Sequence, residues 1–271
     1  MKRRFRAALL VAVAAAAAAG CSRQQVLLDR LRSIPDETAG RVLGDALWAN
    51  GSVYRWAGHK TLRSEVTRTE HRPLGDVVSR EVWTLDLVGG RLRIEKPDAR
   101  EVTTFDGLAW HVFVGGKKTD DLEKRADAAG DGILARQIMP MPFSLLDPGL
   151  AIEHIGTRTG PGETRSWDNL LVTPGPGTPW ESGDRMLLEF NRRTHRVDAV
   201  LACWWEPPFL GGRWRVDMDE WQTTGDVTLS RRWRLVPIDD AGAATGPVRW
   251  TLEVTAAEWD APVGARAFSA P

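Results

Sequence analysis

Over most of the chain the apolar residues alternate with polar ones instead of recurring every third or fourth position. That period of two is what most constrains the fold. Successive side chains of a strand point to opposite faces, so the pattern builds sheet with one oily and one wet face. It predicts strands at about 53–59, 61–71, 78–88, 91–96, 101–105 and 108–114, and again near 151–157, 164–173, 184–191, 196–205, 213–222, 227–236 and 248–258. Two stretches break the pattern. Residues 36–50 predict a helix, with Asp36 as N-cap, Val42, Leu43, Ala46 and Leu47 on one face, and Gly51 closing the end. Residues 119–139 turn charged and helical, then stop at Met139-Pro140-Met141-Pro142, where the prolines favour the hinge of a lid.

Two hairpins can be read to the level of register. A turn at Thr223-Thr224-Gly225-Asp226 sets Trp214 opposite Leu235, Val216 opposite Trp233, and Asp217 opposite Arg232 as a cross-strand ion pair. A turn at Arg192-Arg193-Thr194-His195 sets Phe190 against Val197, Leu188 against Ala199 and Met186 against Leu201. Trp83, Leu85 and Leu87 share one side of their strand, as do Val248, Trp250, Leu252 and Val254. The expected result is a mainly β, antiparallel meander of about ten or more strands with a few covering helices.

What covers the oily face decides the function. Such a sheet can close as a barrel, fold over as a sandwich, or curl into an open half-barrel with a concavity that a helix only partly fills. The candidate lining of that concavity is Trp83, Leu85, Trp214, Val216, Trp233, Leu235 and Trp250. Thirteen tryptophans against one tyrosine fit either a filled core or a greasy cavity. The stretch Trp204-Trp205-Glu206-Pro207-Pro208-Phe209-Leu210-Gly211-Gly212 predicts a loop with Phe209 and Leu210 at its tip, a candidate membrane or partner contact unless the tip tucks back over the mouth.

The N-terminus bears on location. Lys2, Arg3, Arg4 and Arg6 precede an apolar run from Ala7 to Ala19, too short to span a bilayer and suited to a signal peptide. Ala18-Ala19-Gly20-Cys21 reads as a lipobox, with Cys21 as the lipid attachment residue. Each buried acyl CH₂ contributes about 0.8 kcal/mol, so two or three chains hold a protein on a membrane. The expected division is signal peptide 1–20, lipidated tether 21–35 and one domain 36–271. By the enteric sorting rule, Ser22 after the cysteine favours the outer over the inner membrane, on the periplasmic face.

Removing residues 1–20 moves the balance from 36 basic and 36 acidic residues to 32 and 36, which with no basic block argues against nucleic acid as a partner. Cys203 is the only other cysteine, so a core and not disulfides must stabilise the domain. It reads as a core thiol. No catalytic or metal constellation is legible. The five histidines are scattered singly, no G-x-S-x-G elbow is present, and the Gly pairs read as turns. Asp217, Asp219 and Glu220 read as a solvated face, and no motif calls for a cofactor.

The order of elements and several short motifs resemble the LolA/LolB/LppX superfamily of periplasmic lipoprotein carriers and lipid-binding lipoproteins. They are Ala46-Leu47-Trp48-Ala49-Asn50-Gly51, Phe105-Asp106-Gly107-Leu108-Ala109-Trp110 and Met141-Pro142-Phe143-Ser144-Leu145-Leu146-Asp147-Pro148. Gly183-Asp184-Arg185-Met186-Leu187-Leu188-Glu189-Phe190, residues 194–200 and the tail Ala267-Phe268-Ser269-Ala270-Pro271 continue it. The resemblance implies an open β half-barrel, lidded by helices, holding acyl chains in its concavity. It implies a non-catalytic carrier, receptor or reservoir whose partner is a lipid or the acyl chains of a lipoprotein. About sixteen methylenes moved from water to such a cavity yield roughly 10 kcal/mol before ordering costs. The alternative is an interaction lipoprotein with a filled core that docks a protein partner.

Overall fold

The computed structural model describes residues 23–160, 164–176, 178, 185–204, 209, 212–264 and 267–268. Cys21, Ser22 and Leu210 lie outside these residues. Thirteen strands form one antiparallel sheet. The first meander is β1 (Thr61–Glu70), β2 (Val77–Asp86), β3 (Leu92–Lys96), β4 (Glu101–Phe105), β5 (Trp110–Val114) and β6 (Lys117–Thr119). The second is β7 (Leu150–Thr159), β8 (Ser166–Pro174), β9 (Met186–Asn191), β10 (Val197–Trp204), β11 (Gly212–Thr224), β12 (Val227–Ile238) and β13 (Trp250–Trp259). Pairing of β1 with β13 joins the two meanders, so the order runs β6 to β1, then β13 down to β7. The outer strands β6 and β7 do not pair with each other, which makes the sheet an open half-barrel.

Four helices accompany it: α1 (23–32), α2 (Glu37–Ala49), α3 (Ser52–Gly58) and α4 (Leu122–Ile133). The segment expected as a tether is therefore helical over 23–32. Its Leu27, Leu28 and Leu31 pack on the core. The Asp36 carboxylate caps α2 through Thr38 N and Ala39 N at 2.9 and 3.0 Å, and buries Val42, Leu43, Ala46 and Leu47 against the sheet.

The stretch 53–59 is a helix, not the expected strand. Val53, Trp56 and Ala57 are its buried residues, at i, i+3 and i+4, a helical spacing that the exposed Tyr54 masks in the sequence. Gly51 fixes the corner between α2 and α3: it has φ +111°, and a Cβ there would meet Asp226 O at 2.4 Å.

Both hairpins pair, with corrected registers. In β11–β12 the loop is Gly225-Asp226, with Gly225 at φ +61° in its first position, as a two-residue type II′ turn requires. Val216 therefore faces Leu235, Met218 faces Trp233 and Trp214 faces Pro237, a shift of two residues that preserves the faces. Asp217 pairs with Arg215 at 2.7 Å, and Arg232 pairs with Asp219 at 2.8 Å and with Glu220, so the wet face is ionic with different partners. In β9–β10, Val197 faces Phe190 as expected. A bulge at Asp198 then moves Val200 opposite Leu188 and Ala202 opposite Met186, turning Leu201 off the buried face. The Asp198 carboxylate holds the bulge by accepting from Trp167 Nε1 and Asn191 Nδ2 at 2.7 and 2.9 Å.

Candidate functional site

The concave face is covered by the chain that crosses from β6 to β7. Helix α4 continues into a π-helical turn (Leu134–Ile138) and, past the prolines, a 3₁₀ turn (Phe143–Leu146). Ile133, Leu134, Ile138, Met139, Met141, Phe143 and Leu145 from this segment are all buried against the sheet. Full burial of each such side chain is worth about 1.5–3 kcal/mol, so the cover is a substantial part of the core.

The middle of the concavity is consequently filled. Trp83 and Trp233 are 0% exposed with ring centroids 6.0 Å apart, and Val216 and Leu235 beside them are equally closed. Trp83 Nε1 donates to Glu81 at 2.7 Å, whereas Trp233 Nε1 has no hydrogen-bond partner among the described residues. Openings remain at the two ends of β2, ten residues or about 30 Å apart.

The first opening, about 190 Å³, lies where α1, α3, the end of β2 and the cover meet. Its apolar wall is Leu27, Trp56, Leu85, Leu87, Pro140 and Phe143. The rings of Trp56 and Phe143 stack with centroids 4.6 Å apart and planes within 5°. Arg23 forms part of the rim, its guanidinium donating to the carbonyls of Ala57 (3.2 Å), His59 and Leu87 (3.1 Å). Burial pulls its pKa below the ordinary arginine value despite the nearby carboxylates of Asp86, Asp260 and Asp147. Arg91 and Arg136 share the rim with the carboxylates of Asp86 and Asp147, Arg91 paired to Asp86 at 2.6 Å and Arg136 lying 4.3 Å over the ring of Phe105.

The second opening, about 420 Å³, is ionic. Asp131 of α4 reaches Arg68 of β1 at 2.6 Å and Lys96 of β3 at 2.7 Å, and Arg68 also meets Glu81 at 3.2 Å. Burial alone would raise the Asp131 pKa, but the two cations more than offset it and hold the carboxyl below its ordinary value. Burial next to Asp131 pushes the Asp127 carboxyl up. Trp214 and Trp250 line this opening, 5.0 Å apart. A small void of about 10 Å³ under them touches Leu235, Trp250 and Phe209.

Of the expected lining, Leu85 reaches the first opening and Trp214 and Trp250 the second, while Leu235 touches only the small void. Trp83, Val216 and Trp233 border none of these spaces. Phe209 is not an exposed tip: it is 3% exposed and packs against Trp204, Trp214 and Trp250 at 4.9, 5.8 and 6.1 Å. Cys203 is half-buried on the other face of β10 from Ala202 and Trp204. The sequence reading missed Arg23, Leu27 and Trp56 at the first opening. Trp56 was hidden in a stretch read as strand, although Phe143 lay in the proline segment already marked as a hinge. Among the described residues, no group of three or more His, Cys, Asp or Glu is placed to hold a metal, and no helix is long and apolar enough to cross a membrane.

An apolar slot with a polar rim of arginines and carboxylates suits a hydrocarbon chain bearing a polar end, and the ionic opening suits a polar group. No protein-family model and no curated protein matches the chain. Solved structures match in shape. The LolA superfamily protein NE2245 from Nitrosomonas europaea aligns with TM-score 0.55 at 12% identity, over 85% of this chain and 97% of its own. A DUF1329 family protein from Desulfovibrio piger gives 0.54 at 8% identity, over 85% and 97%. A domain of Vibrio parahaemolyticus described as an outer membrane lipoprotein-sorting protein gives 0.50 at 6%, over 84% and 95%. The chain has the LolA-like fold.

Proposed function

We propose that this chain is an envelope lipoprotein, anchored through lipidated Cys21, that holds an acyl chain of a lipid or of another lipoprotein under its cover. It acts as carrier, receptor or reservoir and not as a catalyst. The observation that carries the reading is the apolar slot walled by Leu27, Trp56, Leu85 and Phe143 between sheet and cover. The LolA-like fold, shared with a domain described as lipoprotein-sorting, supports it. The acyl chain enters at this slot, and displacement of the 134–146 segment extends the site onto the floor formed by Trp83, Leu85, Val216, Trp233 and Leu235, with Trp214 and Trp250 at the far mouth. Ser22 next to the lipidated cysteine supports an outer-membrane over an inner-membrane address, on the periplasmic side.

The test is native mass spectrometry of the chain from Ser22 onward, secreted without its lipid anchor into a bacterial periplasm and purified without detergent, combined with titration of a fluorescent fatty acid. A stoichiometric bound lipid or saturable uptake is expected. Leu87→Glu, at the half-buried rim, is expected to weaken uptake at least tenfold while leaving the thermal melt within a few degrees. A protein without lipid that takes up no probe would refute the reading. The closed packing of Trp83, Val216, Trp233 and Leu235 would then favour the second one, a filled-core lipoprotein that docks a protein partner.

A further inference from the structure

We propose that the slot beside α1 takes up an acyl chain carried by this protein's own Cys21, so that the site is self-occupied until a membrane draws the anchor out. The proposal rests on the acyl-binding reading of that slot and adds an occupant to it. Arg23 carries the argument. Its guanidinium is fixed to carbonyls of three separate places, Ala57 at the end of α3, His59 before β1 and Leu87 after β2, so the start of α1 is pinned to the rim. Cys21 precedes Arg23 by two residues, and two residues of fully extended chain span at most about 7 Å. The two residues and the Arg23 side chain together span on the order of 15 Å, shorter than an extended acyl chain, so a lipid joined to the Cys21 sulfur is tethered within reach of the slot.

The lining is suited to what would arrive there. Leu27, Trp56, Leu85 and Phe143 give hydrocarbon contact, while Arg23 and Arg91 on the rim can donate to the ester oxygens of a glycerolipid. The slot's 190 Å³ falls below the roughly 300–1,000 Å³ of drug-sized ligand sites, so it admits part of one chain and leaves the others outside. A group tethered this closely is present at an effective concentration on the order of millimolar, enough to fill a site that binds free fatty acid in the micromolar range. A bilayer accepts every chain along its whole length and so outcompetes a slot that accepts only part of one. Membrane insertion would thus vacate the slot for an incoming chain.

The experiment uses the mature chain beginning at Cys21, in a Cys203→Ala background so that only Cys21 is alkylated. One sample carries an S-methyl and the other an S-dodecyl group, both at concentrations where sedimentation shows monomers and both with matching circular dichroism. Each is titrated with 11-(dansylamino)undecanoic acid. The S-methyl protein is expected to bind the probe and the S-dodecyl protein to bind it about tenfold or more weakly, with phosphatidylcholine vesicles restoring binding after correction for probe partitioning. Equal binding by the two proteins would overturn self-occupancy and leave the acyl-binding reading standing. Binding by neither would overturn the acyl-binding reading and this proposal with it.

Discussion

At the scale of single residues, Asp131 ties the cover to the sheet. It is 2% exposed, sits on α4, and meets cations from two strands, Arg68 and Lys96, at 2.6 and 2.7 Å. Removing one partner of such a buried group leaves uncompensated charge, which costs about 3–5 kcal/mol. Asp131→Asn is expected to lower stability by about that amount, read from the urea midpoint at unchanged slope. A loss under about 1 kcal/mol would show that water already screens the cluster. Acid is expected to act at the same place. Because the folded carboxyl lies below its unfolded value of about 3.9, its contribution is present above about pH 4 and lost as pH falls through the lower folded value. Protection factors of the α4 amides, taken relative to the intrinsic exchange rate at each pH, should therefore fall below pH 4 in the native protein, and Asp131→Asn should remove most of that fall. Nothing in the sequence separates Asp131 from the solvated charges nearby, such as Asp120, Asp121 and Glu123. Its partners lie far upstream on β1 and β3, and only the fold brings them under α4. Trp83 and Trp233 illustrate the converse: their inward direction was legible, yet the choice between lining a cavity and filling a core depends on what lies above them.

At the scale of elements, local signals were legible where one physical cause dominates. Alternation located the strands, and Asp36 and Gly51 delimited α2. Asp36 also does something no local signal reveals: its second oxygen accepts from the backbone N of His154 on the outer strand β7, at 2.7 Å. Loss of the cap alone costs about 0.5–2 kcal/mol. Asp36→Ala should therefore destabilise by at least 1 kcal/mol and raise hydrogen exchange at His154, whereas exchange at the other end of the sheet, in β5, should not change. Unaltered exchange at His154 would mean that the cap and the strand contact are independent of each other. Register was less legible than strand position. The β11–β12 pairing is displaced by two residues because Gly225 takes the first turn position, and β9–β10 slips at Asp198 because Trp167 and Asn191 hold its carboxylate. The first is a choice of turn position within the hairpin, and the second depends on Trp167 of β8, outside it. The α3 helix was misread because Tyr54, apolar in sequence but exposed, blurs the i, i+3, i+4 spacing of Val53, Trp56 and Ala57.

At the scale of the whole molecule, an antiparallel sheet of thirteen strands stays open because its edges β6 and β7 are joined by a long cover instead of by hydrogen bonds. That arrangement was legible as a class, through alternation and the order of helices and strands. The division of the concavity into a packed middle and two unlike openings was not, because an inward-facing apolar row is compatible with either a ligand or the chain's own side chains. The proposed function turns on hydrocarbon entering the apolar opening near α1. The most direct measurement is photo-crosslinking of the purified protein with a diazirine-bearing palmitate, followed by peptide mapping. Labelling is expected to concentrate on peptides containing Leu27, Trp56, Leu85 and Phe143 and to be suppressed by excess unlabelled palmitate. Labelling confined to the Trp214 and Trp250 end, or scattered labelling that unlabelled palmitate does not compete away, would contradict the proposed function.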